Sequence, residues 1–90
     1  MTYKGTVGTG GTVSTLPGIA DEVKNGDTYI VKTSGMNSST VGGTINPDTP
    51  LATTVVGDMF IAVGEEDDAT GFITNSLEWT YVPSGNDSLD

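Results

Sequence analysis

The chain contains no cysteine, no histidine and no arginine, and these absences remove whole classes of function before any pattern is read. Without cysteine there is no disulfide to brace a fold of 90 residues and no thiolate nucleophile. Without histidine there is no Ser-His-Asp or Cys-His arrangement. The same two absences take away the common ligands of transition metals, which leaves oxygen donors for a hard cation such as calcium or magnesium. Basic residues are scarce too. Three lysines, Lys4, Lys24 and Lys32, stand against twelve acids, a formal net charge of −9. Nucleic acids and anionic membranes are held by clustered Lys and Arg, so neither is an expected partner. No apolar run reaches the roughly 20 residues that a membrane-crossing helix requires, and Met1-Thr2-Tyr3-Lys4-Gly5-Thr6 is not expected to act as a secretory leader. With no leader expected, the Asn37-Ser38-Ser39 and Asn86-Asp87-Ser88 triplets read as chance matches to the glycosylation pattern.

Large apolar side chains are also few, while the 13 glycines add nothing to a core and lose the most entropy on ordering. A domain this small, with no disulfide, gains burial most readily by associating with copies of itself.

The residues that are present describe β structure. Gly57-Asp58-Met59-Phe60-Ile61-Ala62-Val63 reads as a turn opening into an apolar strand, and Gly26-Asp27-Thr28-Tyr29-Ile30-Val31 carries the same order of residue types thirty-one positions earlier. Alternation in the earlier strand puts Thr28, Ile30 and Lys32 on one face and Tyr29 and Val31 on the other, which predicts an interior strand. The continuous apolarity of Met59 to Val63 predicts a strand covered on both faces. A third strand is expected at Trp79-Thr80-Tyr81-Val82. Asp27 and Asp58, each following a glycine, are expected to bond nearby backbone amides and fix turns. Tyr29, Phe60, Ile61 and Trp79 are the expected core.

Between these strands the chain is irregular. Residues 1–16 alternate Gly, Thr and Val and read as an extended N-terminal segment, with 17–85 a β-rich module and 86–90 a flexible tail or linker. Gly5, Gly8, Gly10 and Gly11 do not form a dinucleotide loop, since no strand precedes them and no helix follows. Ile19 to Val23 offers a single helical turn. Val41 to Ile45 reads as a short hairpin strand. The polar excursion over 33–54 holds two prolines, Pro47 and Pro50, that exclude a central strand; Asn37, Asn46, Asp48 and Thr49 on it are candidates for surface recognition. Gly64 to Gly71 reads as a solvated acidic loop, its carboxylates lacking the alternating spacing of a calcium-binding helix-loop-helix.

No constellation carries a reaction. The lysines all neighbour turns or polar residues, where nothing lowers their pKa. Paired carboxylates for glycoside hydrolysis have no evident cleft to act in. No catalytic residue, cofactor or metal is expected. Trp79 and Tyr81 share a strand face and could line a sugar-binding surface, which gives an alternative reading as a carbohydrate- or surface-binding β domain of a bacterial adhesin, but so thin a core has more need of them inside.

Three separated segments together resemble a recurrent module of bacteriophage virion proteins, found in head-fibre and tail-fibre polypeptides. They are Tyr3-Lys4-Gly5-Thr6-Val7-Gly8-Thr9-Gly10-Gly11-Thr12-Val13, then Gly26-Asp27-Thr28-Tyr29-Ile30-Val31, then Val56-Gly57-Asp58-Met59-Phe60-Ile61-Ala62 followed by Trp79-Thr80-Tyr81-Val82. The resemblance implies a non-enzymatic structural protein on the virion surface, assembled in the host cytoplasm as a homotrimer beside other virion proteins, with a host cell-surface glycan as a candidate ligand. The expected fold is all-β, a small sandwich or barrel-like module. Residues 36–50 depart from the family pattern in being longer and richer in proline.

Overall fold

A computed structural model describes residues 1–84, so the expected tail at 86–90 lies outside the described residues. Among the described residues the chain forms four strands in one mixed sheet and almost no helix: β1 Thr2–Val7, β2 Asp27–Val31, β3 Met59–Glu66 and β4 Ile73–Val82. Their spatial order follows the sequence, β1-β2-β3-β4. β1 runs parallel to β2, and the two remaining pairs are antiparallel. The sheet does not close, because β1 and β4 are its two edges. No helix among the described residues is long and apolar enough to cross a membrane.

β2 is interior, as its two-sided pattern predicts. Its pairing with β3 is organised about Tyr29 and Phe60, which face each other in register. This centre explains the Gly-Asp echo. In the turn before β2, the Asp27 amide donates to the Lys24 carbonyl at 3.1 Å, and the Lys24 amide donates to Asp27 Oδ2 at 3.0 Å. Before β3 the same pair of bonds joins Asp58 and Val55, at 3.0 and 2.8 Å. Each turn has a glycine at its third position, with φ of 91° at Gly26 and 98° at Gly57, a conformation that only glycine adopts without strain. Each glycine also donates across to the other strand, Gly26 to the Ala62 carbonyl and Gly57 to the Val31 carbonyl. Two copies of one turn thus lock the opposite ends of an antiparallel pair.

The parallel β1–β2 pair requires a crossover. That crossover, residues 8–26, contributes Leu16 and Val23 to the core and carries one 3₁₀ turn, Ile19–Asp21. The 32–58 connection contributes Val41, with Met36, Ile45 and Leu51 packed against it. Both lie over the face that presents Val7, Tyr29, Val31, Phe60, Ala62 and Trp79. Residues 1–16 are not extended throughout: after β1 the chain folds back, the Val13 amide donating to the Thr6 carbonyl and the Gly8 amide to the Val13 carbonyl.

Several expectations change. β3 is covered on one face, because alternation buries Phe60 and Ala62 and leaves Met59 and Ile61 half-buried and Val63 exposed. Ile61 is therefore not a core residue; it lies opposite Phe60, outside the packed cluster. The last strand is ten residues long rather than four. Glu65 and Glu66 belong to β3, and their pairing with Asn75 and Ile73 draws that polar segment into β4. Val41 to Ile45 forms no strand, only a bridge from Ile45 to Trp79.

Substituting Gly57→Ala places a Cβ in the left-handed region, at a cost of about 1–2 kcal/mol, and for a domain of this length each kcal/mol lowers the melting midpoint by about 4–8 °C. A thermal melt followed by circular dichroism should show that drop, with Gly18→Ala, at an exposed residue with φ of −106°, as the unaffected comparison.

Candidate functional site

Of the four recognition candidates on the polar excursion, three spend their side chains on folding the loop. Asn37 Oδ1 accepts from the amides of Ser39 and Thr40. Asn46 Oδ1 accepts from the Asp48 amide, and Thr49 Oγ1 accepts from the Tyr81 amide on β4 while donating to the Asn46 carbonyl. Asp48 is exposed, and its carboxylate makes no hydrogen bond among the described residues. The structure therefore gathers no recognition cluster here: Asn46 and Thr49 fasten the excursion to the free edge of β4.

Trp79 is fully buried and packs edge-to-face against Tyr29, with centroids 5.7 Å apart. Its Nε1 has no partner among the described residues. Gly43 lies so close that a Cβ there would meet Trp79 Cδ1 at 2.8 Å. The aromatic pair that suggested a sugar platform is thus inside the molecule, and Tyr81, half-buried, stacks at a tilt on Phe60.

The two repeated acids have different fates. Asp58 is buried and, besides the Val55 amide, takes the Tyr81 hydroxyl at 2.6 Å and the Ser84 amide at 2.7 Å. Burial raises its pKa, but the bonds from Tyr81, Val55 and Ser84 outweigh that effect and hold the carboxyl below its ordinary value. Asp27 is also buried, yet its Oδ1 makes no hydrogen bond among the described residues.

Asp27 lines a cleft of about 510 Å³, within the size range of small-molecule sites. Its walls include Thr2 and Lys4 of β1, the 21–25 segment, Tyr29 and Phe72. Tyr29 is only 8% exposed, and its hydroxyl has no hydrogen-bond partner among the described residues. Burial foremost, then the charges of Asp27 and Asp21, push this phenol above its ordinary pKa. Lys24 Nζ sits 5.4 Å from the centroid of the Phe72 ring. Glu22, on the rim, has a left-handed backbone with φ of 60°. Two of the three lysines line this one cleft. Sequence reasoning missed it because its walls come from β1, the crossover, β2 and the start of β4. The available signal was the earlier of the two Gly-Asp turns, whose Asp27 makes fewer bonds than Asp58.

Among the described residues no group of three or more acids converges in a way that could hold a metal ion. In the acidic turn, Asp67 Oδ1 is engaged by the Ala69 amide.

A depressed carboxyl stabilises the fold above its unfolded pKa and loses that contribution as pH falls through its folded value. For Asp58 the loss therefore begins near the ordinary aspartate value of about 3.9 and deepens below it. Asp58→Asn points an NH₂ at groups that are themselves donors, and should cost about 2–3 kcal/mol at neutral pH. Urea unfolding should show this deficit together with a shallower acid-side loss than in the parent. Equal slopes in both chains would contradict the assignment.

Comparison with protein-family models, with curated proteins and with solved structures finds no match to this chain.

Proposed function

We infer that the chain is a structural module of a bacteriophage head fibre or tail fibre, exposed on the particle, without enzymatic activity, and assembled as a homotrimer. The inference begins from the resemblance in three segments. It is supported by where those segments fall in the fold: they become β1, β2, β3 and the C-terminal half of β4, neighbours in one sheet.

The observation that carries it is the second face of that sheet. Tyr3, Ile30, Met59, Ile61, Val63 and Val82 lie on it, and none belongs to the packed core or rests against it. Tyr3 is 62% and Val63 48% exposed. Thr28 and Thr80 lie among them, and charge enters only at the margins, with Glu78 beside Val63 and Lys32 beyond Ile30. The apolar middle of such a face, on a strongly acidic protein, is the place where identical copies can meet with least repulsion. Three such faces turned toward a common axis supply the missing layer, and the sandwich-like core expected from the sequence is then completed between subunits rather than within one. In this reading the loops over the opposite face point outward, toward other virion proteins and the host surface, which is where attachment would occur after assembly in the host cytoplasm.

The test is imaging of purified particles from the phage or prophage that encodes the chain, using gold-labelled antibody against it. Label should decorate the outside of the particle, at the head or along the tail. Particles that carry no label, from a lysate in which the protein is abundant, would overturn the reading.

A further inference from the structure

The cleft beneath the crossover lies on the other side of the sheet from the face that presents Ile61, and it contains polar groups that the fold leaves unused. Asp27, 6% exposed, keeps one carboxylate oxygen without a hydrogen bond among the described residues. Tyr29, itself more than nine-tenths buried, presents a hydroxyl with no partner among them. Tyr29, Asp27 and Asp21 all line this cleft, so the three groups share one space. Neither that Asp27 oxygen nor the Tyr29 hydroxyl is sealed off from solvent, so a ligand in the cleft would replace water on both.

We propose that this cleft binds a neutral saccharide. It gives the attachment role of the fibre module a chemical site, and rests on that reading for its biological partner. The lining selects the class. Three carboxylates, Asp21, Glu22 and Asp27, oppose an anion, while the ammonium groups of Lys4 and Lys24 oppose a cation. A purely apolar ligand would leave Asp27 and Tyr29 unpaired. A sugar meets every requirement: its hydroxyls donate to the Asp27 and Asp21 carboxylates, accept from the two lysines, and exchange either role with the Tyr29 hydroxyl. Phe72, with Pro17 and Val23, offers apolar surface for the C–H face of the ring. A second hollow of about 340 Å³, which shares Pro17, Asp21 and Tyr29 with the first, extends the site beyond one sugar unit.

The test titrates the full chain with glucose, galactose, N-acetylglucosamine and rhamnose, read by amide NMR. At least one sugar should give saturable shifts confined to Lys4, residues 21–29 and Phe72. Tyr29→Phe keeps the ring that packs on Trp79 and removes a hydroxyl that has no hydrogen bond among the described residues. It should melt like the parent and bind the same sugar roughly three- to tenfold more weakly, the worth of one hydrogen bond. Lys32→Gln, outside the cleft, should bind normally. Absence of saturable shifts with all four sugars, shifts scattered over the molecule, or equal binding by Tyr29→Phe would each overturn the proposal, as would the same shifts produced by calcium chloride or inorganic phosphate. Light scattering on the same samples separates the two readings. Loss of sugar binding in an intact oligomer removes the site alone, and a monomer that still binds sugar removes the assembly alone.

Discussion

The carboxylate of Asp58 is buried with no cation beside it among the described residues, and its charge is held by hydrogen bonds from three parts of the chain. Val55 precedes the turn into β3, Tyr81 comes from β4, and Ser84 follows that strand. A buried charge with this many donors cannot lose one without leaving an uncompensated cost, so the three segments are fixed relative to one another. The Gly57 turn is fixed at the same point, and through its bond to the Val31 carbonyl so is the end of β2. The interior of the sheet therefore depends on one side chain. At the opposite end of the β2–β3 pair the same turn is built around Asp27 with only its local bond made. One motif thus holds a saturated acid at one end of the pair and an acid with a spare oxygen at the other.

The second constraint is the thinness of the core. Its contributors come from one face of the sheet and from two long connections that fold over that face. Those connections are fastened by side-chain bonds to backbone, as at Thr54 Oγ1, which donates to the Thr33 carbonyl and accepts from the Met36 amide, and at Asn25, whose amide group makes two bonds to Gly64. With both long connections spent on one side, the other face has no covering layer from within the core. On the proposed reading, self-association would complete such a fold, each copy contributing the same apolar patch.

Much of the fold was legible because its signals are local. A glycine and an acid before an aromatic-aliphatic run encode a turn that feeds a strand, and the strand alternation of Thr28 to Val31 was sufficient to place β2 inside the sheet. Coverage was not legible. The run from Met59 to Val63 has the composition of a strand buried on both sides, and period-two alternation does not say whether the second layer is part of the same chain; Ile61 was misplaced for that reason. The length of β4 was hidden because Asn75 is drawn into the ladder by pairing with Glu65 of β3, not by its own preference. The excursion residues looked like recognition groups because Asn, Asp and Thr serve equally well to tie a loop to itself. The cleft was illegible for another reason, since no sequence window contains Lys4, Asp27 and Phe72 together.

The measurement that bears most directly on assembly through the uncovered face is the molar mass of the full chain in solution, by size-exclusion chromatography with light scattering, beside an Ile61→Glu variant. The parent chain of 9.2 kDa should elute as a species of three copies, and the variant, with a charge in the middle of the apolar patch, as a folded monomer. A parent that is monomeric and stably folded at micromolar concentration would contradict it, as would a variant that keeps the parent mass.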